Sequence, residues 1–110
     1  MNKYDNFCIY KIYQKEIPDM LYIGSTTNFS QRKSSHKKNC NNKVSKKYKY
    51  ALYKYIRVCG GWDKFTIEIV EKYPCKTKVE GLLREKELID IHNAKLNTIK
   101  PISVINDFTI

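Results

Sequence analysis

The chain has 110 residues, of which 42% are hydrophobic. This length and composition fit one globular domain with a modest core, and they exclude a wholly disordered chain. We therefore predict a single domain over residues 1–110, with a core at about 7–97 and a C-terminal tail at 98–110.

The net charge of +10 lies entirely in the middle of the chain. Between Met20 and Trp62 there are ten basic residues and no Asp or Glu, whereas the remainder holds eleven of each sign. A polyanion such as nucleic acid explains this distribution better than solubility does. An anionic membrane surface explains it less well, because no helix with a clean apolar face carries these lysines. No stretch is apolar enough to span a bilayer.

The four cysteines form no CxxC pair, so the spacing typical of zinc ribbons is absent. The first residues contain no apolar core of a secretion signal. We therefore expect reduced thiols and a cytoplasmic or nuclear location rather than secretion.

The first predicted element is a strand at residues 7–13, where aromatic and branched side chains alternate. The alternation places Phe7 and Ile9 on one face and Cys8, Tyr10 and Ile12 on the other.

A hairpin and a short helix follow this strand. Residues 14–20 contain Pro18 and predict a turn, and residues 21–24 predict a second strand antiparallel to the first. Asn28, with a Gln three residues later, has capping-box spacing and predicts a helix over residues 29–36.

The middle of the chain predicts a basic loop at residues 37–46. Apolar and aromatic residues then recur at helical spacing from Tyr48 to Ile56, which predicts a second helix ending before Gly60.

The last third predicts one more strand and one more helix. Residues 65–73 alternate as a strand, and Thr77, followed three residues later by Glu, opens a helix that runs to about Ile91 with Asn93 as its C-cap. Residues 96–110 give no assignable pattern. The predicted fold is α+β, a small three-stranded antiparallel sheet flanked by helices in the order β-β-α-α-β-α.

Four side chains in the first third of the chain could carry chemistry. Tyr10 and Tyr22 lie on the paired strands, although a single strand tyrosine is usually structural. Arg32 and His36 lie four residues apart and share a helix face. Arginine suits a phosphate and histidine suits proton transfer near neutral pH.

Two carboxylates on the third predicted helix could bind a metal. Glu85 and Glu87 both lie beside apolar positions, and periodicity barely separates them. A single carboxylate suffices for Mg²⁺ only if water and phosphate oxygens complete the coordination.

Taken together, the residues from about Phe7 to Asn97 resemble the GIY-YIG nuclease superfamily. Five short segments carry the resemblance in the family's order: Cys8-Ile9-Tyr10, Leu21 to Ser25, the spacing from Gly24 to Arg32 and on to His36, Arg84 to Asp90, and Lys95-Leu96-Asn97. Residues 53–65 also resemble free-standing members encoded by large DNA viruses. Cys8 replaces the first glycine of the family, which impairs catalysis only if that glycine clears space for phosphate or water.

The resemblance implies a metal-dependent endonuclease that hydrolyses DNA phosphodiester bonds. It selects Glu85 over Glu87 as ligand of one Mg²⁺ or Mn²⁺, which would contact the scissile phosphate and the leaving 3′ oxygen. It implies these further roles: Tyr10 as general base, His36 assisting it, Arg32 clamping the phosphate, Tyr22 contacting phosphate or water, and Asn97 holding Glu85 or the helix end.

The basic segment predicts contacts with the DNA backbone. The predicted contacts are Lys33, Lys37, Lys38, Lys43, Lys46, Lys47 and Lys49. Among the interleaved tyrosines, Tyr48 and Tyr55 fall on the apolar helix face, whereas Tyr50 and Tyr53 are predicted to touch sugar or base.

The expected partner is double-stranded or branched DNA, and no membrane. No zinc finger or helix-turn-helix is recognisable, so a protein partner could supply specificity. The alternatives are a nucleic-acid-binding module without catalysis and a nuclease subunit recruited by such a partner.

Overall fold

A computed structural model describes residues 2–98 of the chain, so the predicted tail beyond Thr98 lies outside the described residues. The elements are β1 (Cys8–Gln14), β2 (Ile17–Thr26), α1 (Phe29–Asn41), α2 (Ala51–Val58), β3 (Phe65–Lys72) and α3 (Lys78–Ile91). Short 3₁₀ helices lie at Lys3–Asn6, Trp62–Lys64 and Lys95–Thr98. The predicted α+β class and the order β-β-α-α-β-α are confirmed.

The first strand, β1, is the centre of a three-stranded antiparallel sheet with the order β2-β1-β3. Both of its faces are covered. Phe7, just before β1, and Ile9 pack in one buried cluster with Leu88 of α3. Tyr10 and Ile12 pack in the other cluster, which contains residues of α1 and α2. The predicted division of this strand into two faces is therefore confirmed, and it turns Tyr10 towards α1 and α2.

The second strand, β2, begins earlier than predicted. The turn predicted for residues 14–20 is present but confined to Lys15 and Glu16, because the strand already starts at Ile17 and includes Pro18. Proline lacks an N–H to donate, but β2 is an edge strand and its pairing with β1 is irregular at this end. The hairpin needs only the two residues between β1 and β2.

The first helix, α1, continues to Asn41, so the loop predicted from residue 37 is wrong in its first half. The predicted start is correct, since the Asn28 side chain accepts the backbone N–H of Gln31 at 3.1 Å. The helix extends because His36 and Cys40, one turn apart, are both buried. Cys40 belongs to the same cluster as Tyr10 and the buried residues of α2.

The other two helices begin and end close to their predicted positions. The α2 helix starts at Ala51 rather than at Tyr48, and Gly60 follows its end with a φ of 110°. The Thr77 side chain caps α3, and the C-cap is His92 rather than the predicted Asn93. With 14 residues, α3 is the longest helix described, and no helix within residues 2–98 could span a membrane.

Candidate active site

An open cleft of about 1270 Å³ lies between β2, α1, the loop after α1 and the start of α2. Four of the six predicted catalytic residues line it: Tyr22, Arg32, His36 and Asn97. Tyr10 is buried next to His36. Glu85 lies at the neighbouring end of β2, where its carboxylate contacts the strand.

A chain of hydrogen bonds forms the buried wall of the cleft. The hydroxyl of Tyr10 lies 2.7 Å from Nε2 of His36, and Nδ1 of His36 lies 2.8 Å from the hydroxyl of Tyr53. The exposed fractions are 0% for Tyr10 and 5% for both His36 and Tyr53. The Trp62 ring stacks on the imidazole with centroids 6.4 Å apart, and the Tyr22 ring meets it at an angle of 74°. Packing and hydrogen bonding therefore fix the imidazole on all sides.

Burial keeps both partners of this pair uncharged. The pKa of His36 is lowered to about 4, chiefly by burial and also by the positive charges of Arg32 and Lys47. Burial raises the pKa of Tyr10 well above its usual range; Tyr22 adds to this, and the positive charge of Arg32 opposes it. At neutral pH the pair is a neutral imidazole beside an intact phenol.

The glycine of the second motif makes room for Tyr10. Gly24 lies opposite Tyr10 in the β1–β2 register. A Cβ atom added to Gly24 would stand 2.5 Å from the Tyr10 hydroxyl oxygen. That distance is well inside van der Waals contact, so any side chain at this position would push the tyrosine away from His36.

The Arg32 side chain is exposed and lines the cleft. Its Nη1 donates to the backbone carbonyl of Ser25 at 3.4 Å, which is a long hydrogen bond. Among residues 2–98 it forms no salt bridge. The guanidinium is therefore free to bind a phosphate through two parallel hydrogen bonds.

The third helix presents one glutamate to β2. The Ser25 hydroxyl donates to Oε1 of the half-buried Glu85 at 2.6 Å. Burial raises the pKa of Tyr22, and the Glu85 carboxylate raises it further, so Glu85 lies within electrostatic reach of Tyr22. Glu87 instead pairs with Arg84 at 3.3 Å, and its side chain is 60% exposed. Glu85 is therefore the carboxylate on the side of the two tyrosines.

Asn97 pairs with the free edge of β2. Its Oδ1 accepts the backbone N–H of Ile23 at 2.7 Å, and its Nδ2 donates to the carbonyl of Ile23 at 2.8 Å. We predicted that Asn97 would hold Glu85 or the helix end, but these two hydrogen bonds go to the strand. Asn97 thereby fixes the backbone between Tyr22 and Gly24.

All seven predicted DNA-binding lysines are exposed. Those that line the cleft are Lys38, Lys46, Lys47 and Lys49, whereas Lys37 and Lys43 line a shallow depression beside it and Lys33 lines neither. We call the surface formed by Lys38, Lys46, Lys47, Lys49 and Arg32 the basic cleft.

A single arginine orders the lysine-bearing loop at residues 42–50. Arg57 donates to the carbonyl oxygens of Cys40 and Tyr48 at 2.8 and 2.7 Å. Its guanidinium carbon also stands 3.6 Å above the centre of the Tyr48 ring. The sequence indicated only that Arg57 adds positive charge, whereas in the fold it ties the loop to α1 and α2.

Two further residues of the site were missed from the sequence. Tyr53 was predicted to touch sugar or base; it lines the cleft, but it is only 5% exposed and its hydroxyl is bonded to His36, whereas Tyr50 is 55% exposed and stacks on it. Tyr53 and Ile56, three residues apart, form the buried face of α2, and that spacing was the available signal. Ser25 bridges Arg32 and Glu85, and its only signal was its place directly after the second motif.

Cys8 occupies packed space in the sheet. It is almost fully buried and lies between Thr26 of β2 and Lys72 of β3. Burial raises the pKa of its thiol, and the charge of Lys72 opposes this. Cys8 does not line the cleft, so it fits the case in which the family's glycine serves strand packing.

The comparison with protein families agrees with this arrangement. Residues 6–99 match the model of the GIY-YIG catalytic domain, which is nearly the whole chain. The chain therefore belongs to the GIY-YIG superfamily of nucleases, and the resemblance inferred from its motifs is confirmed. At the level of the family this indicates an endonuclease acting on DNA that generally depends on a divalent metal. Searches of curated proteins and of solved structures each found no match.

Proposed function

We propose that this chain is an endonuclease that hydrolyses phosphodiester bonds in double-stranded or branched DNA, with Tyr10 and His36 activating the attacking water. The observation that carries the proposal is the buried hydrogen bond of 2.7 Å between these two side chains, next to a cleft lined by Arg32. A phenol coupled to an imidazole can take a proton from water by passing its own proton onward.

The proton path follows from the atoms in contact. As a water proton moves to the oxygen of Tyr10, the phenolic proton of Tyr10 moves to Nε2 of His36. The hydroxide oxygen forms a bond to phosphorus, the P–O3′ bond breaks, and its electron pair stays on the 3′ oxygen, which takes a proton from water. Arg32 holds a non-bridging oxygen of the phosphate, and Tyr22 orients the water or the phosphate.

Substrate binding favours this transfer through the charges around His36. Arg32 and Lys47 both lower the pKa of His36, and a phosphate bound between them counters that effect. Arg32 also acts on the buried Tyr10 hydroxyl. Its only hydrogen bond to another side chain or backbone group within residues 2–98 is the long one to Ser25. The guanidinium can therefore turn to a phosphate and give up only that long hydrogen bond.

Glu85 fits the divalent metal on which nucleases of this family generally depend. Its carboxylate is half-buried, its Oε1 is held by Ser25, and it forms no salt bridge within residues 2–98. Those residues contain no cluster of three or more His, Cys, Asp or Glu, so water and phosphate oxygens would have to complete the shell of Mg²⁺ or Mn²⁺. When bound there, the cation would offset negative charge that grows on the phosphate and the leaving oxygen.

Nicking of supercoiled plasmid, with Mg²⁺ or with EDTA, tests this proposal. We expect Glu85→Ala and Tyr10→Phe to lose roughly 100-fold or more of the Mg²⁺-dependent rate. Glu87→Ala and Tyr13→Phe are matched controls on the same helix and strand and should retain the rate. Plain duplex, flap, junction and single-stranded substrates then define the form of DNA that is cut. A wild-type rate for Glu85→Ala rejects the metal ligand, and a wild-type rate for Tyr10→Phe rejects the general base.

The complete burial of Tyr10 favours a second candidate, a DNA-binding module that does not cut. The five cations of the basic cleft would bind the backbone, with log Kobs falling against log salt with a slope of about −4.5. Both candidates share this salt dependence. If the protein shifts DNA in a gel but nicks none of the substrates named above, it is the binding module and not a nuclease.

A further inference from the structure

The imidazole of His36 has two hydroxyl partners, and only one arrangement of protons suits the proposed reaction. A neutral imidazole carries its proton on one nitrogen and a lone pair on the other. Nε2 faces the hydroxyl of Tyr10 and Nδ1 faces that of Tyr53. Only the form protonated on Nδ1 leaves a lone pair on Nε2 that can accept the proton of Tyr10.

The groups around the two tyrosines favour that form. Within residues 2–98 the only hydrogen-bond partner of the Tyr10 hydroxyl is Nε2 of His36, and the nearby Arg32 side chain can only donate. If Nε2 also donated to that oxygen, the proton of Tyr10 itself would have no acceptor within residues 2–98. On the other side, Asn39 lies near Tyr53; its amide oxygen accepts the Ser45 hydroxyl at 2.6 Å and has a second lone pair that could accept the Tyr53 proton. The Tyr10 hydroxyl therefore sets the donor and acceptor roles in the hydrogen bonds that join Tyr10, His36 and Tyr53.

We infer that Tyr53 is a positioning residue for phosphodiester hydrolysis: its hydroxyl oxygen accepts the Nδ1–H of His36 and keeps the Nε2 lone pair directed at Tyr10. This role rests on the proposed nuclease function. Tyr53 lines the cleft but is only 5% exposed, its hydroxyl is bonded to His36, and the ring of the exposed Tyr50 stacks on it at 6.3 Å. It acts on the reaction only through the tautomer and the orientation of His36.

The role requires a rigid acceptor, and the fold supplies one. Tyr53 is fixed by its place on the buried face of α2, and the Sγ atom of Cys40 contacts its backbone carbonyl at 3.9 Å. Several titratable or charged groups act on His36 or contact it: Tyr10 from β1, Tyr22 from β2, Tyr53 from α2, Arg32 from α1 and Lys47 from the loop. Of these, only Tyr10 and Tyr53 form hydrogen bonds to the ring.

Nitrogen NMR and single-turnover nicking on the full chain test this inference. In the wild-type protein, long-range ¹H–¹⁵N correlations should show His36 protonated on Nδ1, with His92 as internal reference. Tyr53→Phe keeps the ring and removes the acceptor. We expect it to lose this tautomer preference, to nick roughly 10- to 100-fold more slowly, and to bind DNA as tightly as the wild type. The acidic limb of its rate profile should move to lower pH, because the cationic imidazole loses its acceptor.

Tyr55→Phe is the matched control, since it removes a hydroxyl from the same helix away from His36. It should leave the tautomer, rate and pH profile unchanged. The inference is overturned if wild-type His36 is protonated on Nε2, a measurement that needs no variant to fold. It is also overturned if Tyr53→Phe nicks with the wild-type rate and pH profile. A wild-type protein that shows the Nδ1–H form but never nicks DNA refutes the nuclease function instead.

Discussion

Acid should destabilise the folded chain through His36, because the fold accepts its imidazole only in the neutral form. The pKa of His36 is lowered from 6.5 to about 4, chiefly by burial. Above pH 6.5 the side chain is neutral in both folded and unfolded chains and gives no pH dependence. As the pH falls from 6.5 to about 4, the unfolded chain binds a proton that the folded chain refuses. The free energy of unfolding therefore decreases over that window.

The size of this loss follows from the difference between the two pKa values. At about 1.36 kcal/mol for each pH unit, the whole window corresponds to about 3 kcal/mol, of which about 2 kcal/mol falls between pH 7 and pH 4.5. Small domains have stabilities of roughly 5–15 kcal/mol, so this single group is a large fraction of the total. Glu71 also makes the stability depend on pH, because the hydrogen bonds from Arg84 lower its pKa and the resulting stabilisation is lost below the usual pKa of a glutamate. This effect is the same in every variant compared. The difference between variants therefore isolates His36.

Urea unfolding followed by fluorescence measures the effect, because Trp62 is the only tryptophan and its ring stacks on His36. Wild type and His92→Gln should both lose about 2 kcal/mol more than His36→Gln between pH 7 and pH 4.5. His36→Gln should be less stable at pH 7, by roughly 1–3 kcal/mol, because two buried hydroxyls lose their partner. If wild type and His36→Gln lose equal stability on acidification, the histidine is not buried in the neutral form and the reasoning fails.

Two further substitutions test the backbone around the site. Gly24→Ala should destabilise the fold by roughly 1–3 kcal/mol and break the Tyr10–His36 hydrogen bond, because the new methyl group overlaps the tyrosine hydroxyl. Urea unfolding measures the loss of stability, and the ¹⁵N spectrum of His36 measures the loss of the hydrogen bond. An unchanged spectrum would contradict the close contact between Gly24 and Tyr10. Asn97→Ala should cost about 1–2 kcal/mol and speed hydrogen exchange at the Ile23 amide. Asn97→Asp keeps the acceptor and should protect that amide better than alanine does; equal protection in all three proteins would show that the side chain does not hold the strand.

The parts of the fold that depend on local interactions could be predicted from the sequence. The alternation of β1 gives its two faces correctly, and the caps at Asn28 and Thr77 lie where the polar spacing indicates. Each of these features depends on residues within one turn or one strand. The start of β2 could not be found this way, because a proline is acceptable there only on an edge strand with irregular pairing. An edge position is a property of the sheet and not of the segment.

The same distinction between local and long-range features applies to the functional site. Motif order identified the side chains that line the cleft, and it selected Glu85 over the equally periodic Glu87. The contacts between elements were missed. The hydroxyl of Ser25 meets a carboxylate 60 positions away, and Tyr53 meets a histidine from another helix. The basic segment predicted contact with sugar or base for Tyr50 and Tyr53 alike, and only tertiary packing distinguishes the exposed Tyr50 from the buried Tyr53.

The same charges serve binding and chemistry in the proposed reaction. Arg32 and Lys47 attract the DNA backbone, and in the free protein they also help to keep the pKa of His36 low. Without DNA, the Tyr10–His36 pair therefore resists the proton transfer that activates water. A phosphate held by these cations counters their effect on the imidazole, so the energy of binding is used where charge develops during the reaction. In such a nuclease the substrate itself activates the general base. Salt that weakens DNA binding should therefore also lower the cleavage rate of bound DNA whenever it displaces the phosphate from Arg32.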